Sequence, residues 1–204
     1  MGVEVDGEPK DAIMRATYRA LRDHGYADLT MQAIADEAPV SKATLHYHYD
    51  SKRGLVKAFQ SYISQRFVDR IEAADDPEAA PPARLRAVLD AVLESPADDD
   101  CWELQRILLD LKARAAHDPA IRADFQAIDT CFRDLLADIL QAGVESGDFR
   151  SDIDAEATAR FIVTALAGAG TRAVSVGQSP DTTRELLQMY VDHAIAAGRT
   201  SRDE

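Results

Sequence analysis

The segment PVSKATLHYHYDSK, residues 39–52, gathers side chains that could make polar contacts with a partner. It has rings at four consecutive positions, 46–49, and two lysines, in a chain that is acidic and poor in aromatic residues. Hydroxyl, imidazole and ammonium groups together suit phosphate oxygens and the edges of nucleic-acid bases. The rings could instead build a small core. A metal site from His46 and His48 is a weaker alternative, because positions i and i+2 of a helix diverge.

Helices must position this segment. Apolar residues repeat with helical period over residues 10–24, and Gly25 then stops the pattern. Thr30 is a suitable N-cap for a second helix, which ends at Pro39. Ser41 can cap a short third helix, so the segment with the rings begins at a helix start.

Within the third helix, Leu45 and Tyr49 are four residues apart and would share the buried side. The side chains at positions 42–44 and 46–48 would then cover the exposed side, although either histidine could merely face solvent. Two helices joined by a tight turn in a three-helix cluster are typical of a helix-turn-helix. In that geometry the third helix lies in the major groove of DNA.

The rest of the chain also has helical periodicity, and no segment alternates strictly, so the predicted fold class is all-α with about nine helices. A fourth helix begins after Ser51 and continues to about Ile71. The run AADDPEAAPPA, residues 73–83, has three prolines and predicts a domain boundary. Further helices are predicted near residues 84–95, 101–115, 119–147, 154–176 and 181–197.

Charge is distributed unevenly along the chain. The net charge is −13, yet residues 10–60 contain eight Lys or Arg and six Asp or Glu, so this segment carries +2 and the remainder −15. This asymmetry favours an N-terminal unit with an anionic partner and an acidic, solvated body. An acidic surface poor in lysine also predicts a halophilic source.

The two cysteines, Cys101 and Cys131, indicate a reduced cytoplasmic protein without a structural disulfide or a zinc site. No apolar run of eighteen residues predicts a membrane span. The chain has no nucleophile-elbow, zinc-protease or phosphate-loop motif, so we expect no enzyme, no metal and no cofactor.

Residues 12–59 resemble the N-terminal domain of TetR-family transcriptional regulators. The resemblance rests on the first helix ending in Gly25 and on the segments LTMQAIADEA and VSKATLHYHYDSK. It implies a DNA-binding domain over residues 1–55 and a helical ligand-binding and dimerisation domain over 56–204. The implied function is a ligand-responsive repressor that binds a palindromic operator in double-stranded DNA as a homodimer. The DNA-binding residues that it implies are Thr30, Gln32, Ser41, Lys42, Ala43, Thr44, His46, Tyr47, His48 and Lys52.

Two residues depart from the family's pattern. Pro39 stands where the family usually has glycine, and proline cannot adopt a positive φ, so the turn needs another geometry or a shifted register. His46 stands where a tyrosine is common, which changes the contact expected at this position. A rival reading follows from Pro39 and the charge of −13: a ligand-binding or scaffolding protein of the same fold that has lost DNA binding.

The segment GVESGDFRSDIDAEATARFIVTALAGAGTRAV, residues 143–174, resembles the stretch that joins the seventh and eighth helices of the family's second domain. Its apolar stripe, with the last helix, predicts half of an intersubunit four-helix bundle, but it could instead close the core of one subunit. The predicted dimer interface consists of Phe161, Ile162, Ala165, Leu166, Ala169, Ala173, Leu187, Tyr190 and Val191.

The family also binds a small-molecule effector, whose identity the sequence leaves open. The segments HDPAIRADF and GVESGDF are similar to the choline-responsive branch but occur in several branches. Ordinary core packing is the competing explanation for each candidate pocket residue. The candidates are Trp102, Leu104, Leu108, His117, Phe125, Cys131, Phe132 and Phe161.

Overall fold

A computed structural model of the chain describes residues 9–93 and 100–197; of residues 9, 100–103 and 180 it describes the backbone alone. This part of the chain forms nine α-helices and no strand, which confirms the predicted all-α fold. A π-helical turn, Val191–Ile195, follows the last of them. The helices are α1 (Pro9–Asp28), α2 (Met31–Glu37), α3 (Lys42–His48), α4 (Lys52–Ala74), α5 (Pro81–Leu93), α6 (Asp100–Ala115), α7 (Pro119–Ser146), α8 (Ala155–Val176) and α9 (Pro180–Tyr190).

Gly25 interrupts α1 as predicted. Its φ of 65° and ψ of 172° are not helical, and a residue with a Cβ would be strained there. The chain therefore changes direction before Tyr26, so carbonyl groups at the end of α1 become available to partners outside the helix.

The chain divides into two compact units. The first contains the described residues of Met1–Arg66 and Asp98–Phe125, so α6 and the start of α7 belong with the three N-terminal helices. Its core is apolar and includes the fully buried Leu45 of α3. The buried members are Ile13, Met14, Ala16, Ala20, Leu21, Leu29, Ile34, Leu45, Leu55, Val56, Phe59, Ile107 and Leu111.

The second unit contains the described residues of Phe67–Ala97 and Gln126–Glu204, with its own core from α5, α7, α8 and α9. An antiparallel bridge pairs Phe149 with Ala196. The backbone amide of Arg150 donates to the carbonyl of Ile195 over 2.9 Å, and that of Ala197 donates to Asp148 over 2.9 Å. The chain after α9 is thus fastened to the loop between α7 and α8.

The proline-rich segment 73–83 is a turn between α4 and α5. Arg84 donates two hydrogen bonds to Asp75, from Nε to Oδ1 over 2.7 Å and from a terminal nitrogen to Oδ2 over 2.9 Å. The helices on both sides of the turn lie in the second unit from Phe67 onward, so the predicted domain boundary at this segment is wrong. The largely buried Arg84–Asp75 ion pair joins the start of α5 to the end of α4.

In the described residues, no helix is long and apolar enough to cross a membrane. Within the same ranges, no group of three or more His, Cys, Asp or Glu side chains could hold a metal ion. Cys131 is an unpaired, exposed thiol.

Candidate nucleic-acid interface

Side-chain caps start both helices of the predicted helix-turn-helix. The Thr30 side chain accepts a hydrogen bond from the amide of Ala33 over 3.0 Å, and Ser41 Oγ accepts one from the amide of Thr44 over 3.1 Å. Each cap satisfies an amide that has no partner within its own helix. The Thr30 and Ser41 caps predicted from sequence are both confirmed.

The turn between α2 and α3 uses extended backbone rather than a left-handed residue. Ala38 has φ −94° and ψ 147°, and only glycines have positive φ among the described residues. Pro39 is therefore compatible with the turn, which resolves the departure noted in the sequence. Arg19 of α1 holds the end of α2: its Nε donates to Glu37 Oε2 over 2.8 Å, and a terminal nitrogen donates to the carbonyl of Glu37 over 2.5 Å.

The exposed face of α3 carries the predicted DNA-binding side chains. Leu45 is fully buried and Tyr49, just after the helix, is half-buried, as the spacing predicts. Burial raises the pKa of the Tyr49 hydroxyl. Tyr47 is 84% exposed, and its ring meets the His48 ring edge-on at 5.2 Å. The side chains that face outward on this helix are Lys42, Ala43, Thr44, His46, Tyr47 and His48.

The residues predicted at the start of α2 lie at the surface as well. Thr30 and Gln32 are exposed, and Gln32 Nε2 donates to Asp36 Oδ1 of the same helix over 2.6 Å. The hydroxyls of Ser41 and Thr44 lie 2.9 Å apart. Polar side chains therefore lie at the start of α2 and at the start of α3.

Lys52 occupies a different environment from the other predicted DNA-binding residues. It is half-buried, and Nζ donates to the carbonyl of Tyr26 over 3.1 Å and to that of Ala27 over 3.4 Å. The same ammonium lies 4.9 Å from the centroid of the Tyr26 ring. Part of its hydrogen-bonding capacity is therefore used within the protein.

The predicted pocket residues are divided between the two units. Leu104, Leu108 and Phe125 are half-buried in the first unit, and His117 is exposed there. In the second unit, Phe132 is buried against Phe67, with ring centroids 5.6 Å apart. Cys131 and Phe161 are exposed, and the side chain of Trp102 lies outside the described residues.

Most residues of the predicted dimer interface are packed inside their own subunit. Phe161, Ala165 and Tyr190 keep accessible surface, and the Phe161 and Tyr190 rings lie 5.1 Å apart. The other six, Ile162, Leu166, Ala169, Ala173, Leu187 and Val191, are buried and offer little surface to a second chain.

The accessible apolar surface of the second unit lies on another side of α8 and α9. Phe161, Val176, Leu186 and Met189 are each more than half exposed. We call these four residues the apolar face. The predicted dimer interface did not include Val176, Leu186 or Met189. The sequence does show apolar residues on two sides of α9. The structure buries Leu187 on one side and exposes Leu186 and Met189 on the other.

Comparisons with known proteins agree with this architecture. The sequence model described as "Bacterial regulatory proteins, tetR family" matches residues 13–59, which span α2 and α3. The model described as "BetI-type transcriptional repressor, C-terminal" matches residues 81–196, more than half of the chain. The chain belongs to the TetR family of transcriptional regulators. It is therefore a DNA-binding, ligand-responsive regulator rather than an enzyme, as the sequence predicted.

Two solved structures match over nearly the whole chain, and a curated relative matches over about two thirds of it. A TetR transcription regulator of Haloarcula marismortui is 39% identical with a TM-score of 0.84, covering 93% of this chain and 98% of that chain. A transcriptional regulator of Saccharomonospora viridis, solved in complex with choline, is 25% identical with a TM-score of 0.81 over 93% and 98%. The repressor KstR2 of Rhodococcus jostii is 31% identical, covering 69% of this chain and 67% of its own. The source of the first relative is the sole finding that favours the predicted halophilic origin.

TetR-family regulators bind DNA and small-molecule effectors, typically as dimers. The prediction that this chain binds DNA and a small molecule is therefore confirmed.

Proposed function

We propose that this TetR-family regulator is a repressor that binds a palindromic operator as a homodimer and releases it when a small molecule binds. The observation that carries the proposal is the exposed face of α3, held from beneath by the fully buried Leu45. Two copies of α3 would have to lie about 34 to 36 Å apart to enter successive major grooves. A ligand that favours a different spacing would lower operator affinity.

The contacts to DNA follow from the chemistry of the exposed side chains. Lys42 supplies a positive charge for phosphate, and Thr44, His46 and His48 supply groups that can donate to phosphate or to base edges. The exposed ring of Tyr47 is suited to apolar contact with a base or to a hydroxyl contact with phosphate. Thr30, Gln32, Ser41 and Ala43 would border this contact.

The apolar face supports the homodimer. Large apolar side chains left exposed on two helices of one subunit often mark an oligomer interface. Gly168 of α8 is also exposed, and a Cβ built there would meet no atom within 4 Å. Nothing described within the subunit requires glycine at this position, whereas a second helix could approach closely there. Phe161, Ala165 and Tyr190 of the predicted interface would contribute at its margin.

A quaternary ammonium compound is the effector that we propose for the second domain. The BetI-type match over residues 81–196 and the choline complex of the Saccharomonospora viridis protein support this chemistry. Calorimetric titration with choline, and with ethanolamine as a control that lacks the methyl groups, tests it. Choline should bind to the protein and cause it to release DNA, whereas ethanolamine should do neither. Equal responses to the two compounds would contradict the proposal.

Selection of duplexes from a random-sequence library tests the central proposal. The wild-type protein should enrich an inverted repeat, and a Lys42→Ala/Tyr47→Ala variant should lose most of this binding. Arg86→Ala is the charge-matched control for Lys42, because it removes one exposed positive charge from the second unit. Failure of the wild type to enrich any sequence, with ligand binding intact, would favour a protein of this fold without DNA binding.

The salt dependence of binding distinguishes phosphate contacts from other losses. The slope of log K against log salt concentration should become shallower by about 0.9 for each phosphate contact removed. Lys42→Ala should show this change, and Arg86→Ala should keep the wild-type slope.

A further inference from the structure

Cations from two other helices converge on Tyr26 at the end of α1. The guanidinium carbon of Arg114, on α6, lies 3.8 Å from the centroid of the Tyr26 ring. Lys52 Nζ, at the first residue of α4, lies 4.9 Å from the same centroid. All three residues belong to the first compact unit. We call this group the Tyr26 clasp.

Backbone carbonyls of the same segment strengthen the attachment. Lys52 Nζ donates to the carbonyls of Tyr26 and Ala27, and Arg106 of α6 donates to the carbonyl of Arg22 over 2.8 Å. The non-helical conformation of Gly25 changes the chain direction here. Carbonyls at a helix end carry partial negative charge, so cations are favoured beside them.

The clasp is linked to the recognition helix by a very short piece of chain. α3 ends at His48 and α4 begins at Lys52. The amide of Tyr49 donates to the carbonyl of Leu45, and Ser51 Oγ accepts from the amide of Gly54, so the connection is hydrogen-bonded at both ends. A displacement of Lys52 would therefore move the end of α3.

We propose that Tyr26 is a positioning residue for DNA binding, which holds α3 through Lys52, and that Lys52 acts through α1 rather than by contact with a phosphate. The inference rests on the proposed function. Both cations face the ring of Tyr26, so the ring, not its hydroxyl, carries the role. Removing the ring should weaken DNA binding without removing any phosphate contact.

Substitutions of Tyr26 in the full chain test this directly. The probe is the duplex enriched by the wild-type protein. Tyr26→Phe keeps the ring and should bind it within twofold of wild type, whereas Tyr26→Leu should bind about tenfold more weakly. The slope of log K against log salt should be unchanged in Tyr26→Leu and in Lys52→Met. Lys42→Ala, with its shallower slope, shows that the assay detects a lost phosphate contact.

Two results in this assay would overturn the inference. One is wild-type affinity in Tyr26→Leu. The other is a slope that becomes shallower by about one in Lys52→Met, which would make Lys52 a phosphate contact.

Hydrogen exchange separates this inference from the proposed function and requires no DNA. Arg114→Gln removes one cation and keeps Tyr26 in place, so it also serves if Tyr26→Leu fails to fold. Amides of residues 44–49 should exchange several-fold faster in Arg114→Gln than in wild type, while those of α8 keep their rate. Unchanged exchange in residues 44–49 would contradict the clasp. Absence of any enriched duplex would contradict only the proposed function.

Discussion

At the scale of single residues, backbone conformation decides which substitutions the chain accepts. Pro39 predicted a changed turn because proline cannot adopt a positive φ. Only the structure shows that the backbone at Ala38 is extended, so that the turn accepts proline. Leu45 and Tyr49 were predictable, because their spacing of four fixes a common side of α3. The buried ring of Phe149 was not predictable, since its neighbour Gly143 lies on the preceding helix.

Gly143→Ala should strongly destabilise the protein. A Cβ at this position would lie 2.0 Å from Cδ2 of the fully buried Phe149, so the ring would have to leave its site. The expected loss is about 3 kcal/mol in the free energy of unfolding, measured with urea. Gly54→Ala in α4 is the matched control: its Cβ would meet only Ser51 Oγ, at an ordinary contact distance of 3.4 Å, and helix propensity should stabilise the protein by up to about 1 kcal/mol. Equal effects of the two substitutions would contradict this assignment.

At the scale of helices and turns, local signals predicted ends better than packing. The side chains of Thr30 and Ser41 cap the starts of α2 and α3, and Gly25, which has no side chain, interrupts α1. These helix boundaries could therefore be predicted from the sequence. No local signal indicates that α6 shares a unit with α1, because that arrangement depends on contacts between residues far apart in the chain. The apolar face was not predicted for the same reason: periodicity identifies the apolar sides of a helix but not the residues that pack against them.

Asp75→Ala should destabilise the turn between α4 and α5 by about 3 kcal/mol. Arg84 and Asp75 are 16% and 9% exposed, so the substitution would leave a largely buried guanidinium without its partner. Urea unfolding measures the loss. The double variant Asp75→Leu/Arg84→Met should recover much of the stability, because it removes both charges together. A double variant less stable than Asp75→Ala would contradict this explanation.

Asp118 should make stability depend on pH. A hydrogen bond from Arg53 is the main cause that lowers the pKa of this carboxyl below its ordinary value of 3.8, and the amides of Ala120 and Ile121 contribute. Its contribution is therefore present above that value and is lost as the pH falls through the lowered pKa.

The thermal midpoint of Asp118→Asn gives the measurement. It should lie below that of wild type at neutral pH, and the difference should shrink as the pH falls well below 3.8. Asparagine can still cap α7, so this comparison isolates the charge. A difference that persists at low pH would exclude the ion pair as its cause.

At the scale of the whole molecule, charge and apolar surface are segregated. Residues 10–60 carry a net charge of +2, while the chain carries −13, so association with DNA depends on a local basic segment rather than on net charge. The family and the all-helical fold were predictable from these residues. The identity of the apolar face was not, because burial within the subunit removed Ile162, Leu187 and Val191 from the surface.

Leu186→Glu/Met189→Glu should separate the proposed homodimer into monomers. Both side chains are more than half exposed on α9, so the substitutions should leave the subunit folded while placing like charges at the interface. Sedimentation would then show a monomer, and operator affinity would fall because only one α3 could bind at a time. Ala113→Glu, at an exposed position of α6, is the control and should remain dimeric. A folded double variant that stays dimeric would place the interface elsewhere.

The bridge between Phe149 and Ala196 limits how two subunits can combine. Because the chain after α9 is hydrogen-bonded back to the loop before α8, exchange of α9 between protomers would first require the amides of Arg150 and Ala197 to lose their partners. This adds a barrier to domain swapping, in which identical elements are traded between copies. In the proposed homodimer, subunits held in this way would associate through surfaces that are already folded, and dissociation would return each subunit intact.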